Sequence, residues 1–432
     1  MEIFKAHHDT YDALYKLNSN DPQEIENLFN LIKSNMSKPE LITAQNLLSS
    51  IGVLFSYKNH YLRGYLLLFK KIYEEFQPKR IINVPRILHY FLYKEYGIVI
   101  DEAIKNSFKK LESKNYSLEV HEENTILRAI MDDDVESFIS FTERSGFDEN
   151  FIMKNNDLYP YLECGYSYLD LCCFHGSVKC FKFFGTKFGF DIAEDTVSLS
   201  FLSGNPDIMF ECLKVKKPDF WAMKYAVFTH NMDFVAFLMN EYKIDIDLCS
   251  CARFNNIQAF LAYLDQTHDY NKCYAHSPGF NIPFLCKYLL SNGAKIGSRE
   301  EKLSPAHYAA LTNAVDALEY LISIGESVNY CSYMDGAPIH FAAEYNGKEF
   351  IKILLDNNVN VNEKGNACKI PLILAADEGC LETVEFLIAN GANINASDNE
   401  GKTALHYAAE SDFPEVIELL RLHQHDKKYS KF

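Results

Sequence analysis

The residues that could do chemistry in this chain fall into four sets. His307, His340 and His406 stand on one 33-residue lattice, and imidazole is the commonest acid–base group and metal ligand near neutral pH. Recurrence in register is what a structural role predicts, because a catalytic constellation has no reason to repeat. Cys249, Cys251 and Cys273 imitate a zinc cluster, yet they lack the paired C-x₂₋₄-C spacing with a second pair or histidines. They read instead as small buried hydrophobes, as do Cys172, Cys173, Cys180, Cys286 and Cys380. Asp132, Asp133 and Asp134 could hold a cation or cap helices, and capping is the favoured reading. The adjacent Glu300 and Glu301 have no evident pocket in which to acquire the shifted pKa that acid–base work needs. No phosphate-binding, dinucleotide-binding, zinc-protease, nucleophile-elbow or kinase motif is present. The expectation is therefore no catalytic residues, no metal and no cofactor.

The elements that position these residues must be sought in a long, acidic chain. It has 432 residues, 48% of them hydrophobic, with a net charge of −17. That apolar content supports packed cores and argues against disorder. The negative charge works against nucleic acid and anionic membrane as partners. No apolar run reaches the roughly 20 residues of a membrane span, and residues 1–10 do not read as a signal peptide. The expected location is the cytoplasm, or the nucleus, with reduced thiols. There the acceptor patterns at Asn35 and Asn395 carry no meaning.

The organisation is repetitive. Ser304-Pro305-Ala306-His307-Tyr308-Ala309-Ala310 is followed by Ala337-Pro338-Ile339-His340-Phe341-Ala342-Ala343, Ile370-Pro371-Leu372-Ile373-Leu374-Ala375-Ala376 and Thr403-Ala404-Leu405-His406-Tyr407-Ala408-Ala409. Ser304 and Thr403 suit an N-cap, and Pro305, Pro338 and Pro371 suit a first helical turn, where a missing N–H costs nothing. The Ala-Ala pairs let helices approach closely. The second helix of each unit carries an apolar stripe such as Ile351, Leu354 and Leu355. Gly325, Asn358 and Gly391 then favour a left-handed end.

These units resemble the ankyrin repeat, a 33-residue helix pair with a T-P-L-H-x-A signature. Residues 248–298 are similar to an expanded protist group in which a domain of unknown function precedes the ankyrin array. The resemblance covers roughly residues 120–425 and implies an all-α ankyrin-repeat solenoid of about ten stacked helix pairs with short hairpin loops. It also implies that His307, His340 and His406 are hydrogen-bonding groups between neighbouring loops. Two departures matter. Ala337 and Ile370 replace the capping residue, and Ile373 replaces the histidine, so the third hairpin is expected to be looser.

The expected division is an α-helical region at 1–120, degenerate repeats at 121–299, clear repeats at 300–332, 333–365, 366–398 and 399–425, and a polar tail at 426–432. In the first region, Asp21-Pro22 and Ser37-Lys38-Pro39 read as helix starts, as does Asn83-Val84-Pro85. Tyr61–Phe76 and Val84–Tyr96 read as aromatic helices whose faces serve packing rather than a cofactor.

The resemblance implies binding of a protein partner at the concave face formed by hairpin tips and first helices. By register the positions are Glu300, Glu301, Leu303, Leu311 and Thr312; Tyr333, Met334, Gly336, Glu344 and Tyr345; Asn366, Ala367, Lys369, Asp377 and Glu378; and Asn399, Glu400, Lys402, Glu410 and Ser411. Seven are acidic and two basic, so the expected partner has a basic surface and is anchored by Tyr333, Met334 and Tyr345. The plainer alternative is ordinary solvated surface. The functional expectation is a non-enzymatic interaction scaffold or adaptor. The alternatives are a recognition or effector subunit recruiting a second partner through residues 1–120 and, more remotely, a cryptic enzyme. Oligomeric state is left open by the sequence.

Overall fold

A computed structural model describes residues 2–429, apart from 38–39, 79–80, 82–83, 101–107, 301 and 333–335. The fold is all-α: the described residues form helices, turns and isolated bridges, with no strand. Packing divides the chain into two compact units, Met1–Tyr263 and Leu264–Phe432. The boundaries drawn from sequence at 120 and 299 each fall inside one of them.

Ten helix pairs follow one another from Ile126 to Tyr429. Each turns through a residue with positive φ: Asp133, Gly176, Gly204, His230, Asn255, Asn281, Asn313, Asn346, Gly379 and Asp412. A tight helix-to-helix turn needs the left-handed region, which glycine adopts freely and Asn, Asp and His visit more readily than other residues. The last four turns keep the 33-residue interval, whereas those from Gly176 to Asn281 are closer together. The missing length lies between pairs. Residues 189–193, 216–219, 243–247 and 268–269 connect early pairs directly, while each of the connections 324–337, 357–370 and 390–403 is 14 residues long.

In the first unit, five long helices precede the repeats: Lys5–Lys16, Pro22–Asn35, Ala44–Tyr57, Leu62–Phe76 and Arg86–Tyr96. Asp21 caps the second through the Gln23 N–H at 3.0 Å. The third starts later than Ser37 suggested, because Thr43 supplies its cap to the Asn46 N–H at 3.2 Å; Lys38 and Pro39 lie outside the described residues, as does Asn83. The aromatic faces of these helices pack on the repeats. Tyr15 stacks on His230 at 4.4 Å, and Tyr57 lies 4.7 Å from Phe228. Asn255 donates to the Ser50 hydroxyl, and Asn59 to the Leu158 carbonyl, each at 3.0 Å.

Gly64 shows how closely this layer is built. A Cβ there would stand 2.3 Å from the Ser19 carbonyl oxygen, and the Gly64 N–H is held by Asn20 at 2.9 Å. Gly→Ala inside a helix ordinarily stabilises by about 1 kcal/mol. Gly64→Ala is expected instead to destabilise by about 1–3 kcal/mol through overpacking against backbone, read as a lower urea midpoint with unchanged slope.

In the second unit, the first helices Pro305–Leu311, Pro338–Glu344, Pro371–Asp377 and Ala404–Glu410 stack on one another. Ala309, Ala310, Ala342, Ala343, Ala375 and Ala376 are fully buried where they meet. The partner helices bury Leu318, Leu321, Ile351, Leu354, Val384 and Leu387, each worth about 1.5–3 kcal/mol of transfer free energy. The last helix runs through Tyr429, so the segment read as a tail from 426 begins as helix.

Candidate functional site

The repeat histidines build the hairpins. The Nδ1 of His307 accepts the Ser304 N–H at 3.1 Å, which fixes the proton on Nε2, and Nε2 then donates to the Gly336 carbonyl of the next hairpin at 3.0 Å. His340 repeats the arrangement with the Ala337 N–H and the Glu363 carbonyl, each at 3.0 Å. Its ring leaves so little room that a Cβ at Gly365 would lie 2.9 Å away. Burial, the largest influence, depresses the His340 pKa. His406 accepts the Thr403 N–H at 3.1 Å and is exposed.

Bridges Glu300–Leu303, Ser332–Gly336 and Ser397–Thr403 close the first, second and fourth hairpins. The third, where Ile373 occupies the histidine register, has no such bridge. Its tip is a short turn at Asn366–Cys368 with Ala367 at φ 51°, tied onward by the Asn399 N–H to the Ala367 carbonyl at 2.9 Å.

Beside that turn lies a groove of about 280 Å³ lined by His340, Phe341, Glu344, Asn366, Ala367, Lys369 and Leu374. The structure thus brings together Glu344, Asn366, Ala367 and Lys369 from the sequence-derived set, with Asp377 and Glu378 adjacent. Most of the other carboxylates on this face are already paired. Glu300 meets Lys272 at 2.9 Å, Asp377 meets Lys369 at 3.7 Å, and Lys402 meets Glu410 at 3.0 Å and Glu400 at 3.8 Å. Glu344 and Glu378 have no ion pair among the described residues. Their carboxyl pKa values are raised, that of Glu344 by burial and then by Glu378 and Asp377, that of Glu378 by burial and then by Asp377. The two carboxylates left without an ion pair therefore lie at this groove, Glu344 in its lining with Lys369 and Glu378 next to it.

The remaining positions are spread around it. Tyr345 is 39% exposed, Leu311 and Thr312 are half-buried at the end of their helix, and Gly336 is buried in its bridge with φ 91°. Asn399 and Ser411 are exposed, Ser411 donating to Asp377 at 3.3 Å. Glu301, Tyr333 and Met334 lie outside the described residues. Sequence reasoning missed Phe341 and Leu374 as groove walls; Phe341 was legible as the residue four before Tyr345 on one helix face. It also missed Tyr407, which donates to Asp398 at 2.6 Å beneath the Lys369 ammonium, 4.1 Å from the ring.

Among the described residues, no three His, Cys, Asp or Glu side chains gather as a metal set. Each of the three aspartates acts locally. Asp132 pairs with Arg128 at 2.6 Å, Asp133 accepts the Lys179 and Cys180 N–H groups of the next repeat, and Asp134 caps its own helix at the Ser137 N–H. Burial raises the thiol pKa of Cys273 and Cys286 to about 12, which keeps them protonated and unreactive. No described helix is long and apolar enough to cross a membrane.

Comparison with known families agrees with this geometry. Residues 274–365 and 339–431 match the model for ankyrin repeats (3 copies), and residues 188–263 match a domain of unknown function, DUF3447. The chain is an ankyrin-repeat protein. Its array follows the domain of unknown function, and no curated protein matches the sequence. Ankyrin repeats are protein–protein interaction modules.

Proposed function

We propose that this protein is a non-enzymatic scaffold or adaptor that holds a protein partner on the concave face of its C-terminal repeats. The observation that carries the reading is the groove between the Pro338–Glu344 helix and the third hairpin, with Glu344 in its lining and Glu378 next to it, both without an ion pair among the described residues and with their carboxyls pushed up by burial and by neighbouring carboxylates. Like charges held together lower one another's acidity, and a cation brought between them relieves that cost. The partner is accordingly a segment presenting Lys or Arg, with Tyr345 and Phe341 offering aromatic surface beside the charge. A net charge of −17 favours the same partner over nucleic acid. Recruitment through residues 1–120 has less support, since Tyr15, Phe55, Tyr65 and Phe91 are fully buried.

The test compares full-length protein with the Glu344→Gln, Glu378→Gln, Tyr345→Ala variant in affinity capture from native lysate, followed by titration of whatever is retained. Loss of one basic partner, with at least tenfold weaker binding and further weakening in high salt, is the expected result. Identical partners and affinities for both proteins would remove the reading.

A further inference from the structure

The first unit contains a second cleft, unrelated to the hairpin groove. It has a volume of about 590 Å³ and lies between the Lys5–Lys16 helix, the residues around Lys58, and the repeat turns at 202–204 and 229–233. Its charges are unevenly matched. Lys16 is neutralised by Asp12 at 2.7 Å, and the helix-start residue Asp233 is exposed. Lys58 donates to Asn18 Oδ1 at 2.9 Å and has no ion pair among the described residues. Enclosure by the walls lowers the Lys58 ammonium to about 8. Lys58 is half-buried, and a partly desolvated ammonium is stabilised by an anion, which no carboxylate among the described residues supplies at ion-pair distance.

The walls define what kind of anion fits. Tyr15 is fully buried and its ring is stacked on His230, so no aromatic face is offered for a nucleobase. Asn18, Ser203, Asn231, Asp233 and Gln258 offer amides, a hydroxyl and a carboxylate, the donors and acceptors that recognise hydroxyl groups. The volume lies within the range of small-ligand sites. We propose that this cleft binds a small hydroxyl-rich ligand bearing a phosphate or carboxylate, with Lys58 as its counter-ion. The domain of unknown function supplies Ser203, Asn231, Asp233 and Gln258, and the helices before it supply Asn18 and Lys58. That division gives the two segments a shared task, independent of the C-terminal repeats.

Isothermal titration of the full-length protein with glucose 6-phosphate, gluconate and glucose tests this. Saturable binding of either anionic sugar, without binding of glucose, is expected, and the one that binds identifies the anionic group. Lys58→Met should weaken it at least tenfold. Other titratable groups facing the cleft are His8, Asp12, Tyr15, Lys16, His230 and Asp233; burial pushes the Tyr15 hydroxyl far above its ordinary range, and the second ammonium, Lys16, is matched by Asp12. Affinity of the unaltered protein should therefore fall between pH 7 and pH 9.5, whereas Lys58→Arg, which keeps its charge, should hold its affinity over that range. Absence of saturable binding, equal binding of glucose, a flat pH profile in the unaltered protein, or undiminished binding by Lys58→Met would each overturn the proposal. The pH profile and the Lys58→Arg variant decide the matter even if Lys58→Met folds poorly.

Discussion

Between pH 6.5 and pH 4 the first unit loses most of its stability, and Trp221, the single tryptophan of the chain, reports the loss. The cause is a set of imidazoles buried where the N-terminal helices meet the repeats. Burial and then the facing His230 bring His7 to about 3; burial brings His230 to about 4, opposed by its bond to the Phe254 carbonyl. Burial likewise brings His121 to about 4 and holds His175 well below its ordinary value, with Tyr159 hydrogen-bonded to both rings. A histidine whose native pKa is depressed contributes stability that is whole above the unfolded value near 6.5 and drains away as pH falls toward the native value. At pH 4, His7 and His230 each forfeit about 3 kcal/mol on this reckoning. Two such losses rival the 5–15 kcal/mol that typically separates folded from unfolded. Urea titrations followed by tryptophan fluorescence should give a free energy falling by about 3–5 kcal/mol per pH unit between pH 6 and pH 4.5, corresponding to two to four protons taken up on unfolding. A profile flat over that interval would show that these imidazoles are not held neutral by the fold.

The contrast between the two units shows what a sequence displays and what it conceals. The hairpin-bearing repeats were legible because their geometry is fixed by a few residue types at fixed intervals: proline at a first turn, a histidine linking loops, alanines between helices. In the first unit the same stacking is achieved with different chemistry. Thr196 donates to Asp170 at 2.6 Å and Ser198 donates to Asp219 at 3.0 Å, joining neighbouring first helices by hydroxyl–carboxylate pairs. Such pairs have no register, so only the turn residues, Gly204 and His230 among them, betray the repeat. The reach of residues 1–120 was concealed for a related reason. An amphipathic aromatic helix announces that it packs, but the partner of Tyr15 is His230 and that of Ser50 is Asn255, more than 200 residues on. The acidic groove was visible as an excess of carboxylates. Which two stay unpaired depended on where Lys272, Lys369 and Lys402 reach. Lys58 carried no signal at all, because its importance lies in the carboxylate that is not beside it.

His307→Leu should cost the second unit about 2–3 kcal/mol, whereas His406→Leu should cost under about 1 kcal/mol. Both rings occupy the same repeat position and both accept a backbone N–H at 3.1 Å, from Ser304 and Thr403 respectively. They differ in what lies ahead. His307 is fully buried and donates across to the Gly336 carbonyl, so leucine would strip the 2% exposed Ser304 of its acceptor and remove one of the two donors, His307 and Ser332, that hold that carbonyl. A buried donor left unmet costs about 1–3 kcal/mol. His406 is exposed, so water replaces what leucine removes. The third repeat shows that an apolar residue is sterically tolerated at this position, since Ile373 is fully buried there. The lost free energy in His307→Leu should therefore appear as loosening of the Ser332–Gly336 bridge, read as faster amide exchange at Ser332 and Gly336 with little change at Ser397. Since this hairpin stands beside the acidic groove, the same variant should also weaken capture of a basic partner. Equal destabilisation by the two substitutions would mean that the histidines act within their own repeat only, and that the loops are joined by something other than imidazole.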